Sequence, residues 1–346
     1  MRCGAHLAFA LGWAAAGGGA AAQTVSPVPD ITFDLSTREA LKDAAFAPTS
    51  QAVAIDPSAR FVEREAFKLG EGPVWVARDQ ALWFTDIKSH KIHRLDPASG
   101  DRKSWNAPDQ VGFVLPIAGG GFVAGLKTGL ARFDPEDGSF AALVDPEPSL
   151  PNNRLNDATV DPQGRLWFGS MDDAEEASTG AIYRLGADGV CVAESPLVSI
   201  TNGPAVSPDG RTLFHVDTLG GVIFACDLSE AGHLVNRRVF ATIPNEEGYP
   251  DGPTVDAEGC VWIGLYNGWS ARRYSPAGEL LETVRFPVSA ITKLAFGGPD
   301  LKTVYATTAN KHLDDAGRAE QPQAGDLFSF EVNVPGVAGT EISIGV

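Results

Sequence analysis

From about residue 60 onward, apolar and polar residues alternate in short runs that are separated by glycine-containing turns. Alternation with a period of two predicts β-strands that bury one face more than the other. The dipeptides Asp209-Gly210 and Glu258-Gly259 stand between such runs and predict tight hairpins. The runs are rich in Val, Thr, Phe and Trp, which favour strands over paired helices. The pattern therefore predicts an all-β chain.

The predicted strands recur in copies that align with one another. Four copies are clear, and their paired strands read EGPVW with ALWFTD, NDATVD with PQGRLWFGS, NGPAVS with PDGRTLFHVD, and DGPTVD with AEGCVWIGLY. With two weaker copies, the six begin at Glu71, Gly112, Asn156, Asn202, Asp251 and Thr292. A repeat of roughly 40 to 50 residues with four strands is typical of a propeller blade. The sequence therefore predicts a six-bladed β-propeller of four-stranded antiparallel blades around a central channel.

The repeats divide the chain into a predicted N-terminal extension at 23–60, a propeller domain at 61–337 and a C-terminal tail at 338–346. Residues 61–69 precede the first copy. We expect them to pair with the last blade and close the ring, because an open ring leaves strand edges unpaired. The segment STREALKDAAF, in the extension, predicts one short helix.

Residues 1–22 have the order of a secretory signal peptide. Arg2 precedes a short apolar stretch, and small residues follow it. The stretch is too short to span a bilayer as a helix. This predicts a signal peptide and a periplasmic or secreted protein. A low-complexity tail on a cytoplasmic protein is the open alternative. The three thiols that follow residue 22 (Cys191, Cys226 and Cys260) cannot all pair within the chain, and free thiols favour a reducing compartment.

The charge of the chain limits its partners. The formal net charge is −17, and no cluster of Lys or Arg appears, so nucleic acid is not an expected partner. An acidic surface attracts cations more than anions. No segment predicts a membrane span.

One register of the repeat carries polar residues where the first strand of each blade lines the channel. It holds Glu71, Asn156, Asn202 and Asp251, with Thr292 in the last copy. Carboxylate and amide oxygens are ligands for a hard divalent cation. We therefore expect one divalent cation on the axis, with Ca²⁺ favoured and Mg²⁺, Mn²⁺, Zn²⁺ or Fe²⁺ feasible. The alternative is that these residues only cap turns.

At this point the chain resembles the senescence-marker, gluconolactonase and luciferin-regenerating family of six-bladed propellers. The resemblance covers about residues 60–335. It rests on LGEGPVW, NNRLNDATVDPQGRLWFGSM, TGAIYRL, TNGPAVSPDGRTLFHVD, YPDGPTVDAEGCVWIGLYNG and TKLAFGGPD followed by YATTA. It implies a regucalcin-like lactonase whose metal ligands are Glu71, Asn202 and Asp251.

The resemblance also implies substrate contacts in the Arg-x-Asn-Asp motif. Arg154 and Asn156 would contact the substrate, and we expect Asp157 to do so or to hold the loop. One departure stands nearby. Some family members carry an acidic residue three positions after the Gly-Thr-Met motif, and this chain has Ala174 there. Substrate shape is read in this region, so the particular lactone is not predicted.

The resemblance implies hydrolysis of a small lactone, most simply a sugar lactone, to its hydroxy acid. A cation stabilises negative charge on the carbonyl oxygen, and Asp251 is the candidate general base. Two alternatives stay open. The same cation could serve an aryl-ester or organophosphate hydrolase, or the propeller could bind calcium without catalysis. Arg154 beside the predicted ligands favours catalysis, since calcium storage requires no Arg near the cation.

The tryptophans are expected to differ in role. Trp75, Trp83, Trp167 and Trp262 recur at blade positions and predict a core between blades. Trp269 falls in a predicted loop, where an aromatic ring could contact substrate.

Overall fold

The computed structural model describes residues 60–63, 66–186, 189 and 191–343. The predicted signal peptide at 1–22 and nearly all of the extension at 23–60, with its short helix, lie outside the described residues. These three expectations stay predictions.

The regular secondary structure of the described chain is almost entirely β-strand, as the alternation predicts. It begins with β1 (Arg60–Glu63). Strands then follow in sets of four. Set 1 is β2 (Gly70–Val76), β3 (Ala81–Asp86), β4 (Lys91–Leu95) and β5 (Arg102–Asn106). Set 2 is β6 (Val111–Pro116), β7 (Phe122–Leu126), β8 (Gly129–Asp134) and β9 (Ser139–Val144). Set 3 is β10 (Asn153–Val160), β11 (Leu166–Asp172), β12 (Ile182–Leu185) and β13 (Cys191–Ala193).

The second half of the chain repeats this order. Set 4 is β14 (Thr201–Val206), β15 (Thr212–Asp217), β16 (Val222–Leu228) and β17 (Leu234–Thr242). Set 5 is β18 (Tyr249–Val255), β19 (Val261–Tyr266), β20 (Ser270–Tyr274) and β21 (Leu280–Arg285). Set 6 is β22 (Ile291–Gly297), β23 (Thr303–Thr308), β24 (Leu327–Glu331) and the early strand β1. A short helix, α1 (Asp315–Glu320), precedes β24, and two 3₁₀ turns occur at Ile87–Ser89 and Asn245–Glu247.

Pairing within every set is antiparallel and follows chain order. The exception is β1, which pairs with β24, so the predicted pairing of the segment after residue 60 with the last strands is confirmed. Sets 5 and 6 share one parallel pair between Gly252 and Lys293, which joins them into a continuous eight-stranded sheet. The first strands contact one another in a closed circuit, from β2 through β6, β10, β14, β18 and β22 back to β2. These six inner strands therefore surround one axis.

A repeated hydrogen-bonding device explains the D-x-x-G-x-x-W pattern in the sequence. Asp161 accepts the backbone N–H of Arg165 on Oδ1 (3.0 Å) and the Trp167 indole N–H on Oδ2 (2.7 Å). In set 5, Asp256 likewise accepts the Cys260 N–H and the Trp262 indole N–H, both at 3.0 Å. The carboxylate therefore stabilises the hairpin turn and also satisfies an indole donor that is otherwise buried.

The hydrophobic core lies between neighbouring sets, as the recurring tryptophans predict. Trp83 packs with Phe122 of set 2, and Trp167 belongs to a cluster with Leu213 of set 4. Two further members follow the same rule: Trp262 packs with Phe330 of set 6, and Trp75 stacks on Tyr305 of set 6. Each large ring thus stabilises the contact between two sets of strands rather than one set alone.

The segment after β24 crosses the end of the ring. Gly336 forms a bridge with Asp256, and Ile342 pairs in parallel with Ile117 of set 2. Residues 337–340 line a cavity of about 330 Å³ together with residues of the inner strands. The described part of the predicted tail, up to Ser343, thus packs on several sets. No helix among the described residues is both long and apolar enough to cross a membrane.

Replacing Ile342 with Ala should destabilise the fold. Ile342 is 1% exposed and packs in an apolar cluster with residues of sets 2 and 3. Loss of a buried Ile side chain costs about 2–4 kcal/mol. Denaturant unfolding of Ile342→Ala measures this, with Val337→Ala, whose side chain is 44% exposed, as the matched control. Equal midpoints for both variants and the wild type would mean that the segment contributes no stability.

His215 should make the fold sensitive to acid. Its side chain is fully buried against Phe224, and neither ring nitrogen has a hydrogen-bond partner. Burial, followed by the charge of Arg237, lowers its pKa from 6.5 to about 3. Below pH ~6.5 the His215 imidazole therefore binds a proton in the unfolded chain but not in the folded chain. The free energy of unfolding falls as the pH decreases from there towards the folded-state pKa.

We expect His215→Phe to remove this contribution. Between pH 7 and pH 4.5 the variant should lose about 2–3 kcal/mol less unfolding free energy than the wild type. Urea unfolding across that pH range measures the difference. Parallel pH profiles for the two proteins would contradict the assignment.

Candidate active site

Four inner strands bring polar side chains into one pocket. Glu71 on β2, Asn156 on β10, Asn202 on β14 and Asp251 on β18 all line it, and so does Arg154. Each of the five is at most 5% exposed. The convergence predicted from the repeat register therefore appears in the structure, although these residues are far apart in the chain.

A bulge in the inner strands accounts for this convergence. The register with the second strand shifts between Glu71 and Val74, between Asn202 and Ala205, and between Pro250 and Pro253. Bulges bend a strand and redirect side chains. The Gly-Pro pairs of the sequence lie at these shifts, where proline's missing N–H is tolerated.

The second copy carries a glycine at this register for a steric reason. A Cβ on Gly112 would lie 2.2 Å from the carbonyl oxygen of Asn156. Strand β6 therefore approaches β10 too closely for any side chain. Thr292 occupies the register in set 6, and its hydroxyl donates to the Gly70 carbonyl (2.6 Å) rather than reaching the pocket lining.

Hydrogen bonds order the amides and the arginine. Asn156 Nδ2 donates to Asn202 Oδ1 (3.0 Å) and to the Thr201 carbonyl (2.7 Å). Arg154 donates to Asn156 Oδ1 at 2.5 Å and to Asp173 Oδ1 at 3.1 Å. Arg154, Asn156 and Asn202 thus form one connected chain along the pocket wall, and each amide has a defined orientation.

The two carboxylates are in an unfavourable position without a counter-charge. Burial, and then the charge of Asp157, raise the pKa of Glu71 to about 8. Burial, and then the charge of Glu71, raise the pKa of Asp251 well above its ordinary value. Asp251 Oδ1 is buried and has no hydrogen-bond partner. A carboxylate oxygen of this kind requires a proton or a cation.

A hard divalent cation fits this set of donors. Glu71, Asn202 and Asp251 offer oxygen atoms only, as Ca²⁺ and Mg²⁺ prefer. Among the residues that the structure describes, no group of three or more His, Cys, Asp or Glu side chains could hold a metal ion. The candidate centre therefore depends on the Asn202 amide as well as on the two carboxylates.

A buried ion pair between Asp157 and Lys293 crosses the ring next to this centre. From the sequence, Asp157 is a candidate site residue and Lys293 is not. The Lys293 ammonium of set 6 donates to the Asp157 carboxylate of set 3, which lies opposite in the ring. Asp157 also accepts the backbone N–H of Gly203 at 2.9 Å. The Lys293 side chain passes over Gly252, where a Cβ would lie 2.6 Å from Lys293 Cγ.

The structure therefore does not bring Asp157 to the pocket lining. Its carboxylate is 1% exposed and saturated by protein donors. The repeat contains a signal for this pair. Asp157 directly follows the register of candidate ligands in the third copy, and Lys293 directly follows it in the sixth copy. Opposite charges at one register of opposite copies predict a pair across the axis.

A second ion pair between opposite sets lines the pocket nearer to solvent. Lys311, after β23, donates to Glu175, after β11, at 2.5 Å. Their side chains are 19% and 9% exposed. Glu175 lies one residue after Ala174, so an acidic side chain does reach the pocket from this loop. No motif distinguished Glu175 or Lys311 in the sequence.

Aromatic and apolar side chains complete the pocket wall. Tyr249 and Tyr266 of set 5 line it, and the Tyr266 hydroxyl lies 2.9 Å from His312 Nδ1. Trp269, predicted as a possible substrate contact, is 8% exposed and lies outside the lining. The remaining lining is Leu69, Met171, Ile200, Thr218 and Leu219.

Comparison with known proteins agrees with the fold and with the motifs. Residues 69–310 match the family described as SMP-30/Gluconolactonase/LRE-like region. Regucalcin of Xenopus laevis is 34% identical over 81% of this chain and 96% of its own length. The 6-deoxy-6-sulfogluconolactonase of Pseudomonas putida is 33% identical over 80% of this chain and 96% of its own.

A solved structure agrees as well. The calcium-binding protein regucalcin of Agrobacterium tumefaciens superposes with a TM-score of 0.80 at 28% identity, over 84% of this chain and 99% of that chain. The family match spans most of the inner strands and the pocket. This chain therefore belongs to the SMP-30/gluconolactonase/LRE-like family.

Proposed function

We propose that the protein is a divalent-cation-dependent lactonase that opens a sugar lactone to its hydroxy acid. The observation that carries this proposal is the joint position of Glu71, Asn202 and Asp251 beside Arg154 in one buried pocket. Carboxylates alone would suit cation storage. An ordered arginine beside them suits a substrate with a polarised oxygen. A relative of similar length is named as a lactonase, which supports the same reaction class.

We further infer that the six strand sets are the blades of one six-bladed propeller. Six antiparallel sets of four strands, and the closed circuit of contacts among their first strands, support this count. The single parallel pair between sets 5 and 6 is a local approach of two inner strands. The channel of such a propeller would hold the pocket at one end.

Glu71, Asn202 and Asp251 would hold the cation, with Ca²⁺ as the favoured ion. When bound, it supplies positive charge that stabilises the oxyanion of lactone hydrolysis. The binding residues are already ordered by the protein. Asn202 is oriented by its hydrogen bonds to Asn156 and to the Thr218 hydroxyl (2.8 Å).

The side chains of this protein then have separate tasks. Arg154 and Asn156 would orient the lactone through its carbonyl or hydroxyl oxygens, since both reach the pocket and hold each other in place. Asp157, saturated by Lys293 and Gly203, would position the inner strands and not contact the substrate. The apolar lining would exclude bulk water from the reacting atoms.

Asp251 is the proposed general base because its Oδ1 atom has no partner among the protein groups. In the reaction, the oxygen of water forms a bond to the lactone carbonyl carbon, and Asp251 accepts the released proton. The ring C–O bond then breaks, and the proton passes to the departing ring oxygen. The product is a hydroxy acid, with the elements of one water added.

Asp251→Asn should abolish most of the activity. Removing the charge weakens the cation site and eliminates the base, so we expect kcat/KM for glucono-1,5-lactone to fall at least about 100-fold. Acid release at fixed pH measures this, after subtraction of spontaneous opening. The control is Asp209→Asn, the same change in an exposed hairpin turn. Undiminished turnover in Asp251→Asn would locate the chemistry elsewhere.

The assay also separates the other functions that this donor set could serve. Cation-dependent turnover of a phosphotriester or aryl ester, without lactone turnover, would favour the esterase alternative. Cation binding without turnover of any of these substrates would favour a calcium-binding protein. Activity that disappears with a chelator and returns with a divalent cation supports the proposal.

The cation should also stabilise the fold. At a free concentration of 100 times Kd, one bound ion adds about 2.7 kcal/mol to the unfolding free energy. We expect Ca²⁺ to raise the melting temperature of the wild type and to have little effect on Glu71→Gln. In a chelator, Glu71→Gln should melt no lower than the wild type, because it replaces a buried carboxyl group whose ionisation is unfavourable with a neutral amide of the same shape. Equal responses to Ca²⁺ would exclude Glu71 as a ligand.

A further inference from the structure

An ion pair whose two members come from opposite sides of the ring lines the pocket. Glu175 belongs to the loop of set 3 and Lys311 to the loop of set 6, and both line the pocket with the proposed cation ligands. Their side chains are more exposed than those of Glu71 and Asp251. A substrate bound in this pocket can therefore contact the pair.

In the protein without substrate, the opposite charges of Glu175 and Lys311 already balance each other. Burial lowers the pKa of Lys311, and the carboxylate of Glu175 opposes this effect. The Lys311 charge is thus already balanced by Glu175. Similarly, Arg154 is engaged by Asp173, which also binds Lys88 and Lys127.

A neutral hydroxylated substrate matches such a pair. One hydroxyl group can donate to Glu175 and accept from Lys311, so that both ions stay hydrogen-bonded in the complex. An anionic substituent that contacts Lys311 would lie beside the Glu175 carboxylate, in a partly buried position where like charges repel. The charge of the substrate is not a constant of the family, since one relative is named for a sulfonated gluconolactone.

We propose that Glu175 and Lys311 together determine specificity, by selecting neutral polyhydroxylated lactones over lactones with an anionic substituent at the end that faces this pair. This inference rests on the proposed lactonase function. It assigns the selection to two side chains outside the cation site.

The test compares glucono-1,5-lactone with its 6-phosphate, which has the same ring and an added negative charge. The measurement is kcat/KM for both at pH 6.5 with Ca²⁺, in the wild type, Glu175→Gln and Lys311→Gln. We expect the wild type to prefer the neutral lactone. Glu175→Gln should raise the ratio of anionic to neutral activity about tenfold or more, and Lys311→Gln should lower it.

The matched control is Glu176→Gln, which removes the same charge one residue away at a position outside the pocket lining. It should leave the ratio at the wild-type value. A purely structural role for the ion pair would reduce both activities together and leave the ratio unchanged in both pocket variants. Melting temperatures identify a variant that fails to fold, and the other pocket variant then decides the test.

The outcomes separate this inference from the function on which it rests. Wild-type turnover of lactone with an unchanged ratio in Glu175→Gln would overturn the specificity assignment and leave the lactonase intact. Wild-type preference for the phosphorylated lactone would overturn it as well. No turnover of either lactone by the wild type would remove the proposed function, and this inference with it.

Discussion

Every inner strand must approach the same axis, and this constraint governs the rest of the molecule. The first strands of the six sets contact one another in a closed circuit, so the space between them is narrow. At Gly112 the neighbouring backbone leaves no room for a Cβ. At Glu71, Asn202 and Asp251 the strand bulges turn the side chains into a common pocket. Residues distant in sequence are therefore forced into contact, and polar ones must find partners there.

Two pairs of charged side chains near the axis differ in whether their charges cancel. Asp157 and Lys293 neutralise each other across the ring, and both side chains are buried, so that solvent weakens their attraction little. Glu71 and Asp251 have no such partner, and each raises the cost of ionising the other. The Asp157–Lys293 pair thus has no net charge, whereas Glu71 and Asp251 beside it have no counter-charge of their own. This contrast distinguishes the proposed cation ligands from the other buried carboxylates, such as Asp161 and Asp256, which serve hairpin turns.

Membership of the family sets the scaffold and the reaction class, and the loops of this chain set the details of its pocket. Glu175 and Lys311 lie after second strands, outside the repeated register, and their loops are free to differ between relatives. The aromatic wall from Tyr249 and Tyr266 belongs to set 5. The candidate cation ligands and the Glu175–Lys311 pair thus lie in different parts of the repeat.

The sequence by itself determined the features that depend on local pattern and repetition. Alternation predicted the strands, the repeat predicted the sets of four, and one register predicted that Glu71, Asn202 and Asp251 would meet. Only the tertiary structure decided which loop side chains meet across the ring. Glu175 and Lys311 are 136 positions apart, and no motif marks either residue. Asp157 and Lys293 are equally far apart, and only the shared register of opposite copies relates them in the sequence. The physical reason is that strand formation depends on neighbours along the chain, whereas a buried charge finds its partner through the closure of the whole ring.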